Sequence, residues 1–367
     1  MSAIITNSEI PAFHTVLYKR INDYFRENNR SKKAGFEMWF KIWVGLFWYF
    51  GSYACIYIFT TGNWSFFWLY LFHGLSHVYL VFNIAHDANH HAISHKPWVN
   101  KTLSYTFDAC GINSYLWRIL HHDQHHYCMN VHGQDETLAA RGFFRFTPHT
   151  PKRIIHRFQH LYFPFVYGFL TLDWVFVKDF DYFVFKKSHL AKGLKHPARE
   201  YVIMAIAKAL YLTWMIVLPI VVLGISFWWV AIAFTIAGFV IGLTASIVVQ
   251  IVHPNETADF PKTTNEYDHY VFYVLGTTAD YAAKSPIANS VLGGLNLHVI
   301  HHLFPQICHT HFPAVTKIIK ATAGEYGITY REAKTMYGSI VQHYRLLKQL
   351  ATEPYIPEPS GELMATG

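Results

Sequence analysis

The sequence predicts an all-α integral membrane protein with four transmembrane helices, further helices at the membrane interface, and a helical cap on the cytoplasmic side. Three observations lead to this fold class. Hydrophobic residues make up 52% of the 367-residue chain and charged residues only 14%, whereas soluble domains are roughly 25% charged. Two stretches, 42–86 and 209–255, contain no Asp, Glu, Lys or Arg. The chain also has 25 histidines, and three dense histidine clusters lie close to these uncharged stretches.

The two uncharged stretches predict the transmembrane helices. Each is about 45 residues long, enough for two crossings at roughly 20 residues each. The turn-forming runs Thr61-Gly62-Asn63-Trp64 and Leu223-Gly224-Ile225-Ser226 divide them. We therefore predict two transmembrane hairpins, 42–86 and 203–252, with helices near 42–60, 65–85, 203–223 and 227–252. Two long buried core helices are the alternative, and the dividing turns argue against it.

The basic residues predict the orientation. All 30 Lys and Arg lie in 1–41, 87–208 or 253–367. By the positive-inside rule, both termini and the central region face the cytoplasm. The chain is then one domain, 1–367, in which the hairpins join a cytoplasmic N-terminal segment 1–41, a cytoplasmic and interfacial region 87–202, a cytoplasmic region 253–350 and a flexible tail 351–367. We attribute the pI near 9.0 to basic charge beside anionic lipid and expect no nucleic-acid partner.

Shorter helices are expected outside the hairpins. Residues 104–117 and 160–177 are rich in aromatic and apolar side chains but are interrupted by Asp108, Pro164 and Asp173. They are too short and too interrupted to cross a bilayer, so we expect them to lie in the membrane interface. We also expect an interfacial or cytosolic helix at 312–326 and a polar helix at 330–350.

The spacing of the histidines predicts a site for two metal ions within the cap. His86 and His90 are four residues apart, as are His121 and His125, and residues at that spacing share one face of a helix. The third cluster has the same property, and the isolated His253 ends the fourth helix as His86 ends the second. The predicted ligands are His86, His90, His121, His125, His126, His253, His298, His301 and His302.

Some histidines leave alternatives open. In the first cluster His91 could replace His90, and in the second His122 could replace His121; the helical spacing favours His90 and His121. His73, His77 and His343 are interpreted as packing or surface residues. The run Cys308-His309-Thr310-His311 could form a metal triplet but duplicates ligands already available. The four cysteines, Cys55, Cys110, Cys128 and Cys308, form no CxxC pair and are expected to be reduced.

The donor set indicates the chemistry. Neutral imidazole binds iron, zinc and copper, and an uncharged imidazole cage suits iron that reacts with O2 and removes hydrogen from an unactivated methylene. The acidic neighbours Asp87, Asp123 and Glu256 favour iron over a single hydrolytic zinc. No nucleophile triad, phosphate loop or dinucleotide motif competes with this interpretation. Apolar walls at a membrane junction suit a long hydrocarbon chain.

Several runs resemble the histidine boxes of membrane fatty acid desaturases. They are His-Asp-Ala-Asn-His at 86–90, the doubled His125-His126, and Leu295-Asn296-Leu297-His298-Val299-Ile300-His301-His302-Leu303-Phe304-Pro305. The resemblance covers about residues 40–340 and is nearest to the bacterial acyl-lipid or linoleoyl-CoA-type branch, which is similar to front-end desaturases. It implies a di-iron centre, O2 as co-substrate, an electron donor, and four transmembrane helices with the boxes facing the cytosol.

The chain departs from that branch at three points. Front-end members usually have Gln at the position of His298, and relatives often have Gly at that of His91. The chain also has no His-Pro-Gly-Gly haem motif, and only some 40 residues precede the first predicted helix. We therefore expect electrons from a separate ferredoxin or cytochrome b5 type protein. Candidate docking residues are Arg118, Arg141, Arg145, Lys152 and Arg153.

The sequence therefore predicts an O2-dependent di-iron desaturase that introduces a double bond into a long fatty acyl chain, lipid-linked or CoA-linked, in contact with membrane lipid. A fatty acyl or alkane hydroxylase on the same scaffold is the first alternative. A membrane receptor or transporter that binds zinc through its histidines is the second. Zinc in an overexpressed preparation would indicate misloading, because imidazole cages bind it well.

Overall fold

Helices dominate the computed structural model, which describes residues 9–138, 140–188 and 190–355. Within these residues four helices are long and apolar enough to cross a membrane. They are Phe36–Phe59, Asn63–Asn89, Ala198–Leu223 and Phe227–Gln250, called here the first to fourth spans. The all-α class with four candidate membrane-spanning helices is confirmed, and the dividing turns lie at 60–62 and 224–226, where the sequence predicts them.

The first span begins at Phe36, six residues before its predicted start at 42. Lys41 marked the predicted boundary, because a charged side chain is costly inside a membrane. In the fold the Lys41 side chain is buried, and its ammonium donates a hydrogen bond to the Ser290 carbonyl at 2.8 Å. The helix therefore continues past Lys41, because a carbonyl group of the cap accepts a hydrogen bond from the buried ammonium.

The second span is not a uniform α-helix. It consists of an α-helix Asn63–Leu80, a π-helical turn Val81–Ala85 and a last α-helical turn His86–Asn89. It packs against the fourth span where Gly74 faces Ala237, since a Cβ added at Gly74 would lie 3.1 Å from the Ala237 Cβ. His86 therefore lies at the end of a helix that packs against the fourth span.

The third and fourth spans differ from their predicted limits by a few residues. The third begins at Ala198 instead of 203 and includes a π-helical turn, Thr213–Val217. Its Lys208 ammonium lies 2.7 Å from an Asp179 carboxylate oxygen, so the buried charge is paired. The fourth ends at Gln250, two residues before the predicted 252, and the chain leaves the helix just before His253.

The region between the two hairpins consists of short helices. The expected helix at 104–117 is divided into shorter pieces, and the expected helix at 160–177 is part of a helix pair, Ile154–Gly168 and Leu170–Phe185, bent by 58°. Large apolar side chains such as Phe165 and Ile154 are exposed on this pair. The pieces from 97 to 185 are Pro97–Ser104, Thr106–Ala109, Ser114–Arg118, Ile119–His125, Glu136–Leu138, Ala140–Gly142, Ile154–Phe158, Gln159–Gly168, Leu170–Asp173, Trp174–Lys178 and Asp181–Phe185.

The region after the fourth span completes the cap together with an N-terminal helix, Glu9–Glu27. The predicted helix at 312–326 is confirmed as Phe312–Glu325. The predicted helix at 330–350 begins only at Met336, because Glu332–Ala333 pairs in parallel with Asp280–Tyr281 as a two-residue strand. The remaining elements are Thr264–Glu266, Tyr270–Thr277, Pro286–Val291, His298–Leu303, His309–His311 and Met336–Thr352.

One face of the N-terminal helix forms the core of the cap. Phe13, Leu17, Ile21 and Phe25 are buried in a cluster that includes side chains of Phe312–Glu325 and of the histidine-bearing helix His298–Leu303. The third histidine cluster is therefore held against a packed apolar core. Of the predicted flexible tail 351–367, residues 351–355 are described and continue or follow the last helix; 356–367 lie outside the described residues.

Candidate metal centre

The nine predicted histidines converge at the cap-facing ends of the spans. Ring nitrogens of His86, His90, His121 and His301, the first group, all lie within 4.8 Å of one another. Ring nitrogens of His125, His253, His298 and His302, the second group, do the same. A third set joins them, since His126 lies equally close to His301 and His302. The structure therefore brings all nine residues into two adjoining groups, with His126 between them.

The nitrogen–nitrogen distances match neighbouring ligands of a metal ion. The Nε2 atoms of His121, His126 and His301 lie 3.1–3.2 Å from one another. A neutral imidazole nitrogen either donates or accepts, so three mutual contacts cannot all be hydrogen bonds. A metal–nitrogen distance of roughly 2.0–2.1 Å places neighbouring ligand nitrogens roughly 3 Å apart. The residues present thus fit a metal ion better than they fit a hydrogen-bonded cluster.

The second group has the same short contacts. His253 Nε2 lies 3.1 Å from His125 Nε2 and 3.0 Å from His302 Nε2. Burial lowers the pKa of His253 to about 3, and burial among other imidazoles lowers the pKa values of His298 and His302 well below the usual range. These rings are therefore neutral, and their lone pairs are available to a cation.

A π-helix shapes the second cluster. Residues Ile119–His125 form this helix, in which the His126 amide donates to the His121 carbonyl at 3.0 Å, five residues back. The α-helical geometry assumed for His121 and His125 is therefore wrong. The wider turn places His121 beside His126 in space and directs His125 into the second group.

The alternative ligands lie outside both groups. His91 has a left-handed backbone with φ of 55° and an exposed side chain. The His122 ring stacks on the His90 ring, with centroids 4.2 Å apart, and joins neither group. The structure thus brings together His90 and His121, the choices that the sequence favours.

Three histidines of the second group form a hydrogen bond through Nδ1. His125 Nδ1 donates to Asp135 Oδ1 at 3.0 Å, His253 Nδ1 to the Thr277 carbonyl at 3.1 Å, and His298 Nδ1 to the Leu295 carbonyl at 3.0 Å. Such bonds fix the tautomer and the ring orientation of a metal ligand. They leave Nε2 as the atom that faces the metal position.

Two buried carboxylates near the histidines were not predicted. Asp135 is 1% exposed and also accepts hydrogen bonds from the Asn130 and Thr137 amides. Asp280 accepts from the Val299 amide at 2.9 Å and from the Tyr330 hydroxyl, so it anchors the start of helix His298–Leu303. Burial raises the pKa of Asp280 to about 7.

The acids that the sequence placed beside the clusters have different roles. Asp123 and Glu256 are exposed, and Glu256 pairs with Arg345 at 3.2 Å. Asp87 is buried, and its carboxylate accepts a hydrogen bond from His309 Nδ1 at 2.8 Å. His309, which the sequence offered only as part of a redundant metal triplet, is therefore part of a buried network. No signal in the sequence distinguishes Asp135 from an ordinary solvated acid, since its burial depends on the fold.

The prediction that Arg145 helps to dock an electron donor is wrong. Arg145 is fully buried, and its guanidinium donates to five carbonyl groups, including those of Leu350 and Pro354. It closes the end of helix Met336–Thr352 and cannot contact another protein. Lys152 and Arg153 are exposed, and Arg141 is exposed but pairs with Asp173.

Four candidate membrane-spanning helices and two buried groups of imidazoles are the features of a membrane metalloprotein. The family model described as fatty acid desaturase matches residues 62–334. The chain belongs to the fatty acid desaturase family and is an enzyme of the oxidoreductase class.

Curated relatives agree with that assignment. The chain is 30% identical to the sn-1 linoleoyl-lipid 6-desaturase of Arthrospira platensis, with 95% of each chain covered. It is 31% identical to the sn-1 linoleoyl-lipid 6-desaturase of Synechocystis sp., with 92% of this chain and 95% of the relative covered. It is 27% identical to the acyl-lipid (8-3)-desaturase B of Dictyostelium discoideum, with 95% and 77% covered.

Proposed function

We propose that this chain is an O2-dependent di-iron desaturase that introduces a double bond into a long acyl chain carried by a membrane lipid. The observation that carries the proposal is the pair of imidazole groups at the ends of the apolar spans. The names of the relatives support a lipid-linked substrate, since they are lipid-acting desaturases. In the overall reaction CH2–CH2, O2, two electrons and two protons give CH=CH and two molecules of water.

Each group would hold one metal ion. His86, His90, His121 and His301 would bind the first, and His125, His253, His298 and His302 the second. His126 lies between them, 3.1 Å from His301 Nε2. Iron bound here would supply the redox chemistry, which is activation of O2, with electrons from a separate donor, for removal of hydrogen from a methylene. The residues keep the cage uncharged, dry and close to lipid.

The position of the groups suits a lipid substrate. His86 lies in the last turn of the second span, and His253 lies three residues after the fourth. An acyl chain can therefore reach the centre while its head group stays in the interface. From the distribution of basic residues we infer a multi-pass topology with the centre and both termini on the cytoplasmic side.

Electrons would come from a separate ferredoxin or cytochrome b5 type protein. Lys152 and Arg153 are exposed and could attract an acidic donor, because charge complementarity mainly raises the association rate. Reversing both charges should lower turnover and weaken its dependence on salt. Unchanged turnover and salt dependence would place the docking surface elsewhere.

Product analysis tests the proposal. The chain is expressed in cells supplied with linoleate, with His302→Ala as the inactive variant and His91→Ala as the matched control at an exposed histidine. Mass spectrometry after derivatisation should locate a new double bond in the lipid fraction for the wild type and for His91→Ala only. A hydroxylated acyl chain instead would establish the hydroxylase alternative. Membranes with iron, O2 and a donor that yield neither product would refute the proposal.

A further inference from the structure

A buried chain of three polar groups lies beside the first group. His309 Nδ1 and the His309 amide donate to Asp87 Oδ2 at 2.8 and 3.0 Å. The Lys41 ammonium lies 2.6 Å from His309 Nε2 and donates to the Ser290 carbonyl. The three residues are 6% exposed or less. We call this arrangement the Lys41–His309–Asp87 chain.

With Lys41 charged and His309 neutral, the donors and acceptors of the Lys41–His309–Asp87 chain have one consistent arrangement. A lysine ammonium only donates, and a neutral imidazole has one donor and one acceptor. His309 Nε2 must therefore accept from Lys41, and the Nδ1 hydrogen must go to the Asp87 carboxylate. A positive charge at one end balances a negative charge at the other, as a buried ion pair requires.

The Lys41–His309–Asp87 chain is not a third metal site, although ligand atoms of Asp87, Cys308 and His309 lie within 4.8 Å of one another. Both ring nitrogens of His309 already have partners. One of those partners is an ammonium group, which would repel a second cation. The geometry therefore favours a charge-balanced hydrogen-bonded chain.

The Lys41–His309–Asp87 chain joins the first span to the segments that carry His86, His90 and His301. Lys41 lies on the first span, Asp87 lies between His86 and His90 at the end of the second, and His309 follows the helix that carries His301. Asp87 Oδ1 lies 3.7 Å from His86 Nδ1. Neither ring nitrogen of His86 has a hydrogen-bond partner among the described residues.

We infer that Lys41, His309 and Asp87 are positioning residues for His86 at the first metal position. The inference rests on the proposed function. Lys41 and His309 hold the Asp87 carboxylate beside His86, where it faces Nδ1 when Nε2 binds the metal. A carboxylate at that place orients the imidazole and makes it a stronger ligand. The Lys41–His309–Asp87 chain supports the first group only, because three histidines of the second group have their own hydrogen-bond partners at Nδ1.

The test measures iron binding to the purified full chain in detergent. The first variant, Lys41→Met, leaves the negative charge of Asp87 without its balancing positive charge. The second, the double variant Lys41→Met/Asp87→Asn, removes both charges and keeps a hydrogen-bond acceptor for His309. Lys208→Met is the matched control, since it also breaks a buried pair, with Asp179 at 2.7 Å, and Lys208 bonds no histidine among the described residues. Titration gives the affinity, and Mössbauer spectra of ⁵⁷Fe show which environment is lost.

The double variant should fold and bind one of its two irons about 10–100-fold more weakly, the usual effect of losing such a partner. One Mössbauer environment should weaken while the other persists. Lys208→Met should bind both irons as the wild type does, per folded chain. Wild-type affinity at both positions in the folded double variant, or equal loss at both, would overturn the inference. Three bound metal ions in the wild type would also overturn it. A wild type that binds no iron would refute the proposed function instead.

Discussion

The two histidine groups each contain four imidazoles but differ in how those imidazoles are supported. In the second group, three of the four imidazoles donate through Nδ1 to a carboxylate or a backbone carbonyl. In the first, His86 has no such bond to a described residue, and the His121 ring stacks on Trp117 with centroids 4.3 Å apart. The second group therefore has more of its imidazoles fixed by direct hydrogen bonds than the first.

The largest expected effect comes from removing a ligand of either group. His86→Ala and His302→Ala should each lower product formation by more than about 100-fold, beyond the usual effect of a supporting residue, because a metal position loses a donor. The same holds for the other seven predicted ligands. Product is measured by mass spectrometry of lipids at equal protein abundance. Full activity of His253→Ala would remove that residue from the second group.

Loss of the carboxylate that supports His125 should weaken iron binding at the second group. Asp135→Asn is expected to reduce iron affinity or activity by about 10–100-fold, since a neutral amide oxygen accepts the His125 Nδ1 hydrogen more weakly than a carboxylate does. Glu136→Gln is the matched control: it is a neighbouring carboxylate that pairs with Lys178 at 2.7 Å. Iron titration of both variants is the measurement. Equal losses in the two variants would show that general destabilisation, and not support of His125, causes the effect.

Removal of iron by a chelator should occur in two steps. Because the second group has more of its imidazoles fixed, we expect its iron to be released at least about tenfold more slowly, in line with the effect of one such partner. Thermal stability should fall in both steps, as loss of any ligand bound only to the folded state lowers it. Iron content and melting temperature are followed with time. Release in a single step would contradict the difference between the groups.

The smallest effect is expected at His122, which packs on the first group without joining it. His122→Ala should reduce activity by roughly 2–10-fold, the range that corresponds to one aromatic contact. His122→Phe keeps the ring and should stay near the wild type. Both are compared by initial rates of desaturation. If His122→Ala abolishes the product while His121→Ala does not, His122 is the ligand and the interpretation of the second cluster changes.

The sequence predicts the spans and the convergence of the nine histidines, for physical reasons that act locally; that these histidines bind metal stays a prediction. Runs without charge must be buried in lipid or protein, and turn residues such as Gly62 and Gly224 divide them. Helical spacing places His86 and His90 in one group, whereas His121 and His125 lie in different groups. The start of the first span is less predictable, because Lys41 lies inside the helix and its hydrogen-bond partner Ser290 is far along the chain.

The support of the site could not be predicted in this way. The π-helix at Ile119–His125 arises from packing around the histidines, and periodicity assumes an α-helix. Asp135 and Arg145 look like surface residues in the sequence, yet both are buried by distant segments. The strand pair of Asp280 with Glu332 joins residues about 50 positions apart. Each of these features depends on contacts that form only in the folded chain.

The most direct test of the account is the iron content of active protein, together with its ⁵⁷Fe Mössbauer spectrum. The chain is produced with ⁵⁷Fe, purified in detergent and assayed for desaturation with an electron donor. We predict about two iron ions per chain in two unequal environments, one for each histidine group. Full activity with one ion or none, or with zinc in place of iron, would contradict the central claim that these two groups form a di-iron centre.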